Sequence, residues 1–142
     1  VKIVDINVLI YAINSADRNH RAAAGWLAAA LQGSDTVGFS WSTILGFVRI
    51  CTNPAAMQHP LTVEQAFDAV QSWLASPKAV VLEPTARHLM IMKGLLVERG
   101  TAANLTSDAH LAALAIEYGG SVATFDRDVE ALGVTVTIPT AS

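Results

Sequence analysis

Short apolar runs rich in β-branched residues alternate with longer segments of helical period along the whole chain, and no other feature limits the possible folds as tightly. The strand candidates are residues 2–4, 36–39, 80–82, 121–124 and 134–136. Helical periodicity covers residues 8–14, 18–32, 42–51, 63–75, 86–99, 107–118 and 127–132. This alternation predicts an α/β fold in which helices cover a parallel sheet. Local signals mark several boundaries. Thr62 precedes a helix with Glu64 and Gln65 in its first turn, Gly33, Gly100 and Gly119 follow apolar-periodic stretches, and Asn53-Pro54 breaks the chain after Cys51.

At 142 residues and 52% hydrophobic content the chain suits one domain, residues 1–142, with one packed core. It opens on Val1, so an initiator methionine or a few residues can precede it. Nothing resembles a signal peptide, and the apolar stretch 22–31 is too short to span a bilayer, so a soluble, cytoplasmic protein with no membrane partner is expected. The single Cys51 excludes an internal disulfide and a thiolate zinc cluster, and its apolar helical setting predicts a buried thiol. A net charge of −3 argues against clamping nucleic acid by bulk positive charge.

Three separated segments end in aspartate where a strand stops or a helix begins: Val1-Lys-Ile-Val-Asp5, Leu105-Thr-Ser-Asp108 and Val122-Ala-Thr-Phe-Asp126-Arg-Asp128. Right-handed crossovers run each helix antiparallel to its strands, so helix starts and strand ends share one sheet edge, where open α/β sheets bind ligands. Asp5, Asp108, Asp126 and Asp128 can therefore meet there. Clustered carboxylates repel unless a cation joins them, which points to a hard metal ion. Each acid has a plainer alternative. Asp5 can be a turn residue, although Ile6-Asn7-Val8-Leu9 behind it suits no exposed loop. Asp108 alone reads as an ordinary first-turn acid, with Thr106 or Ser107 as N-cap, and Asp126 and Asp128 can flank Arg127 in a solvated turn. Asn7 and Thr124 stand beside these acids and can orient carboxylates, or cap strand ends.

Four stretches together resemble the PIN domain, and within it the VapC-type toxin ribonucleases of bacterial toxin–antitoxin pairs. They are Asp5-Ile-Asn7-Val-Leu-Ile-Tyr11-Ala, Phe47-Val-Arg49-Ile-Cys-Thr52-Asn53-Pro54, Asp108-Ala-His-Leu-Ala-Ala-Leu-Ala115 and Thr124-Phe-Asp126-Arg-Asp128. The resemblance covers nearly the whole chain. It implies an α/β/α sandwich on a five-stranded parallel sheet, Mg²⁺ or Mn²⁺ held by acidic residues, and endonucleolytic cleavage of RNA, with tRNA or rRNA the expected substrate. It also implies a cognate VapB-type antitoxin and homodimerisation. The chain departs from the pattern at one place: the family's usual glutamate on the third helix, three residues before the arginine, is Gly46 here, and no acid lies between Asp35 and Glu64. The remaining carboxylates suit one octahedral ion with water in its other positions rather than two ions.

The expected reaction is metal-assisted phosphodiester hydrolysis, with Asp5, Asp108 and Asp126 as catalytic metal ligands and Asp128 as a further ligand. Arg49 is the expected phosphate-binding cation, an ion pair with the acids being the alternative. Arg18, Arg21 and Arg127 read as solvated surface before they read as RNA contacts. His20, His59, His88 and His110 share no zinc spacing and receive no chemistry, and Trp26, Trp41 and Trp73 read as core. Two rivals remain. A phosphatase of the haloacid dehalogenase type needs a second aspartate two residues after the first, where this chain has Asn7. The other rival is a PIN fold that binds antitoxin or RNA without cutting it.

Overall fold

The computed structural model describes residues 1–141. Its five strands are β1 (Lys2–Val4), β2 (Val37–Phe39), β3 (Ala79–Val81), β4 (Ser121–Ala123) and β5 (Val136–Thr137). The helices are α1 (Ile6–Ile13), α2 (His20–Leu31), α3 (Trp41–Cys51), α4 (Val63–Leu74), α5 (His88–Arg99) and α6 (Thr106–Tyr118), with 3-10 turns at Ala103–Leu105 and Arg127–Leu132. All neighbouring strands pair in parallel, in the order β3-β2-β1-β4-β5. The chain therefore builds outward from β1 in one direction, then returns to its other side with β4. The crevice between β1 and β4 is the topological switch point, where the carboxyl ends of strands leave room for a ligand.

Alternation within the strands divides the core in two. Val4, Val37 and Phe39 pack under α1 to α4 with Val8, Leu9, Leu27, Phe47 and Val70. On the other face Ile3, Leu82 and Val122 meet Leu111, Leu114 and Ala115 of α6. Ile3 and Val4 thus serve opposite layers, as a period of two demands. Every residue of β2 is buried, which fits a strand covered on both faces.

Caps explain most element boundaries. The Thr62 hydroxyl accepts from the Gln65 backbone while the Gln65 side chain accepts from the Thr62 backbone, a reciprocal box that starts α4. Gly100 and Gly119 close α5 and α6 in the left-handed conformation that glycine adopts without steric cost. At α6 the expected caps fail. Leu105 occupies the N-cap position with no side-chain bond, and Thr106 lies inside the helix with its hydroxyl donating back to the Ala103 carbonyl. Strand β5 starts two residues later than its apolar run suggests, because Gly133 turns the chain at φ 82° and Val134 is used in the core instead.

The three tryptophans divide. Trp26 and Trp73 pack against the core, Trp73 edge-to-face on Phe47 with ring centroids 5.0 Å apart. Trp41 departs from the core reading, with 51% of its surface exposed at the start of α3. Cys51 is buried, and burial pushes its thiol up to about 11. Among the described residues no helix is long and apolar enough to cross a membrane.

Candidate active site

Asp5 leaves β1 and caps α1 at once: its Oδ1 accepts from the Ile6 N–H at 2.7 Å, which starts the helix two residues before the apolar period does. Its Oδ2 accepts from the Thr124 hydroxyl at 2.8 Å, just past the end of β4. Thr124 is fully buried and its oxygen accepts twice, from Asn7 Nδ2 at 3.0 Å and from the Asp126 N–H at 3.0 Å. The Asn7 side-chain oxygen Oδ1 accepts from the Phe125 N–H at 3.2 Å. Asn7 and Thr124 therefore join the switch-point strands and fix the rotamer of Asp5. Asp126 caps the following 3-10 turn, its Oδ1 accepting from the Asp128 N–H at 2.9 Å.

The electrostatics show which acids face one another. Asp5 is only 6% exposed. Burial raises its pKa, the bonds from Thr124 and Ile6 work against that, and the charge of Asp126 adds to it. Asp108, in the first turn of α6, is pushed up to about 6, first by burial and then by the charges of Asp5, Asp126 and Asp128. The four sequence-selected aspartates thus share one field at the switch point. Asp108 makes no side-chain hydrogen bond among the described residues, whereas Asp5 and Asp126 spend lone pairs on caps.

The donor set is all oxygen, suited to a hard divalent ion, and a carboxyl at about 6 marks a place that lacks positive charge. Among the described residues no three His, Cys, Asp or Glu side chains form a ready-made ligand cluster. The carboxylates stand within electrostatic reach rather than coordination distance.

Arg49 is exposed on α3 and forms no salt bridge among the described residues, so the alternative ion pair with the acids is absent. Gly46 is buried. A Cβ there would lie 2.7 Å from Ile6 Cδ1 and 4.0 Å from Arg49 Nη2, so the Ile6 side chain fills the space beside position 46. Arg18, Arg21 and Arg127 are exposed.

The histidines contain what sequence reasoning missed. His110 Nε2 lies 2.9 Å from Ser40 Oγ, His110 Nδ1 lies 2.8 Å from His88 Nε2, and His88 Nδ1 lies 2.5 Å from Glu117 Oε2. The other oxygen of Glu117 accepts from the Thr85 N–H at 2.9 Å and from the Thr85 hydroxyl. Burial works to raise the Glu117 pKa, but the bonds from Thr85 and His88 outweigh it and hold the carboxyl low. His110 is lowered, by burial first and by His88 next. The spacings 88, 110 and 117 give no metal signature. The one sequence signal was the seven-residue, two-turn separation of His110 and Glu117, which places both on one helix face.

Comparison with known proteins agrees with this architecture. Residues 2–134 match the PIN domain family model. The chain is 47% identical to ribonuclease VapC37 of Mycobacterium tuberculosis over 128 residues, covering 90% of this chain and 89% of that protein. It is 37% identical to ribonuclease VapC33 of the same species, covering 89% and 88%. Among solved structures, M. tuberculosis VapC20, described as a sarcin–ricin loop cleaving toxin, superposes with a TM-score of 0.73 at 20% identity, covering 98% of this chain and 100% of that one. VapBC2 from Rickettsia felis, bound to a promoter DNA fragment, gives 0.71 at 14% identity, covering 96% of each chain. At such identities the structural likeness establishes the fold. The chain belongs to the PIN domain family. Within that family, its identity to VapC37 and VapC33 over nearly their full length places it in the VapC group.

Proposed function

We infer that this chain is the toxin of a toxin–antitoxin pair and acts as a metal-dependent endoribonuclease, cutting RNA at the β1/β4 switch point. The observation that carries the reading is the convergence of Asp5, Asp108, Asp126 and Asp128 at one sheet edge, where burial first and the three other charges next raise Asp108 to about 6. Relatives named as VapC ribonucleases support the activity, and neighbours solved as VapBC complexes support a VapB-type antitoxin as partner. A homodimer, and tRNA or rRNA as substrate, belong to the same proposal.

Bound Mg²⁺ or Mn²⁺ would neutralise the pocket and supply Lewis-acid polarisation of the scissile phosphate. Asp5, Asp108 and Asp126 would hold the ion, with Asp128 reaching it from the turn. The chain's own residues do the rest. Thr124 and the Ile6 N–H each donate to one oxygen of Asp5, so the carboxylate is held in one orientation before an ion arrives. Asp108 makes no competing side-chain hydrogen bond among the described residues, so its oxygens can take the ion once the proton held at about 6 is lost. Arg49, exposed on the surface of α3, would pair with a flanking phosphate.

A non-cutting PIN module is the second reading, and Gly46 favours it, since Ile6 stands where the family's glutamate would project. One experiment separates the two. Purified chain is incubated with structured RNA in Mg²⁺ or Mn²⁺, and in EDTA. Cleavage that needs the metal and is lost in Asp5→Asn, Asp108→Asn and Asp126→Asn supports the enzyme. Full activity in any of these variants, or cleavage in EDTA, refutes the site.

A further inference from the structure

A small cavity of about 140 Å³ opens where β2 runs into α3, and nothing in the metal reading uses it. Its inner wall is Ser40 and His110, the near end of the hydrogen-bonded chain that runs through His88 to Glu117. Leu82 and Pro84 give it an apolar side, and Trp41 and Glu83 stand at its rim. The geometry points to a subsite for one unpaired nucleobase of single-stranded RNA, stacked on Trp41 with its edge in this cavity. The inference deepens the RNA-cutting reading and rests on it.

Position is the first argument. β1 and β2 are parallel neighbours, and Asp5 and Ser40 each follow the last residue of their strand directly, so both stand at the carboxyl edge of the sheet. His110 lies on the same helix as Asp108 but on another face, the one turned to the end of β2, where it meets Ser40. The cavity thus opens at the same sheet edge as the acidic crevice, on the β2 side, where a neighbouring nucleotide of a bound strand would pass.

Size and chemistry select the occupant. Pockets for drug-sized ligands span about 300–1,000 Å³, so this cavity admits a ring rather than a whole nucleoside. A phosphate is disfavoured, because Glu83 stands at the rim and no Lys or Arg lines the cavity. A neutral planar heterocycle suits the lining: its face meets the indole, its N–H groups can donate to Glu83, and its carbonyls can accept from Ser42. The wall is also preorganised. Ser40 is 1% exposed and its oxygen contacts the Ser42 N–H at 3.2 Å, the Ser42 hydroxyl at 2.7 Å and His110 at 2.9 Å, so it cannot turn away when a base arrives. Trp41 shares its exposed helix surface with Leu45 one turn on, and a protein partner is the competing occupant. The polar wall and the acidic rim favour the base over the apolar core of a protein interface.

The test measures binding of a labelled single-stranded oligoribonucleotide to the full chain by fluorescence anisotropy, in EDTA so that no metal-dependent cleavage intervenes. Trp41→Ala should raise Kd about ten- to a hundredfold, and Trp41→Phe should recover most of that loss. Scanning an abasic site along the oligonucleotide should reveal one position where the wild-type chain binds as weakly as Trp41→Ala, and where that variant loses nothing further. Unchanged affinity in a folded Trp41→Ala chain overturns the subsite, as does a loss that every abasic oligonucleotide shows equally. A variant that binds RNA normally but falls from dimer to monomer in sedimentation also overturns it, in favour of a protein contact. Base-dependent binding through Trp41 without cleavage in Mg²⁺ would keep the subsite and refute the nuclease instead.

Discussion

Replacing Gly46 tests both the packing of α3 and the direction in which position 46 faces. A Cβ there meets Ile6 Cδ1 at 2.7 Å, well inside van der Waals contact, so Ile6 must rotate away or α3 must shift. The atom met is the free end of a half-buried side chain that can rotate, so the cost sits at the low end of the range for overpacking, about 1 kcal/mol. Leaving glycine in a helix interior costs about 0.8–1 kcal/mol relative to alanine, which any replacement mostly recovers. Gly46→Ala should therefore melt close to the wild type, the two effects cancelling to within about 0.5 kcal/mol. Ile6→Val removes the clashing methyl at a cost near the low end of about 0.5–1.5 kcal/mol, since Ile6 is only partly buried. The double variant should then melt close to the wild type, with a coupling near 1 kcal/mol. In that relieved background Gly46→Glu supplies an additional carboxylate beside Asp5. Mn²⁺ titration by calorimetry should show at least tenfold tighter binding, which is about 1.4 kcal/mol. Additive melting of Gly46→Ala and Ile6→Val would refute the contact. Unchanged Mn²⁺ affinity in folded Gly46→Glu/Ile6→Val would show that position 46 faces away from the acids.

Other perturbations address the remaining parts of the site. Because the ion competes with a proton on Asp108, Mn²⁺ affinity should fall as pH drops through about 6, approaching tenfold per pH unit below it, and a flat profile by calorimetry would remove Asp108 from the ligand set. In EDTA the same raised pKa acts on stability: it contributes below the ordinary carboxylate range and is lost as pH rises through about 6. Melting at pH 7.5 should therefore fall below melting at pH 5 by a share that Asp108→Asn abolishes, about 0.5–1 kcal/mol after allowing for its partial exposure; a variant with the wild-type slope would contradict this. Thr124→Val keeps the shape but leaves Asp5 Oδ2, Asn7 Nδ2 and the Asp126 N–H without their shared partner, and should cost about 1–3 kcal/mol in denaturant unfolding; a loss under 0.5 kcal/mol would mean that water replaces the hydroxyl.

The acids were legible because each sits at a boundary that an apolar run makes visible, and parallel topology leaves strand ends and helix starts no other edge to occupy. Asp5 and Asp126 even announce their second task, since a carboxylate before a helix period is a cap. What was not legible depends on partners remote in sequence. His88, Glu117 and Ser40 come together only when α6 packs between the β2 end and the start of α5, across separations of 29 and 70 residues. Local spacing carries no trace of such a chain. Trp41 read as core because apolar periodicity says which face of a helix is buried, not whether its first turn has anything above it. The start of α6 failed for a related reason: Thr106 and Ser107 are good caps by type, but the preceding 3-10 turn draws the Thr106 hydroxyl back to Ala103.

That uncapped start bears on how the fold holds Asp108 against three like charges. Asp5 and Asp126 are held by hydrogen bonds to the backbone N–H groups that they cap, so their positions are set within one or two residues of each carboxylate. Asp108 has no bond of its own and no capped residue before it, so only the rigid body of α6 can keep it facing the cluster. Two features fix that body. Ala109, Leu111, Ala112, Leu114 and Ala115 bury its apolar face, which sets depth and tilt. An apolar face can still slide or turn at modest cost, and the charges of Asp5, Asp126 and Asp128 push its first turn outward. The Ser40–His110–His88–Glu117 chain supplies directional contacts on both sides of this slide: His110 ties the second turn of α6 to the end of β2, and Glu117 ties its last turn to Thr85 and to the start of α5. Removing one partner of a buried bond leaves another unsatisfied, so a shift of α6 would break several at once. The polar chain on one flank of the helix therefore balances the repulsion at its tip.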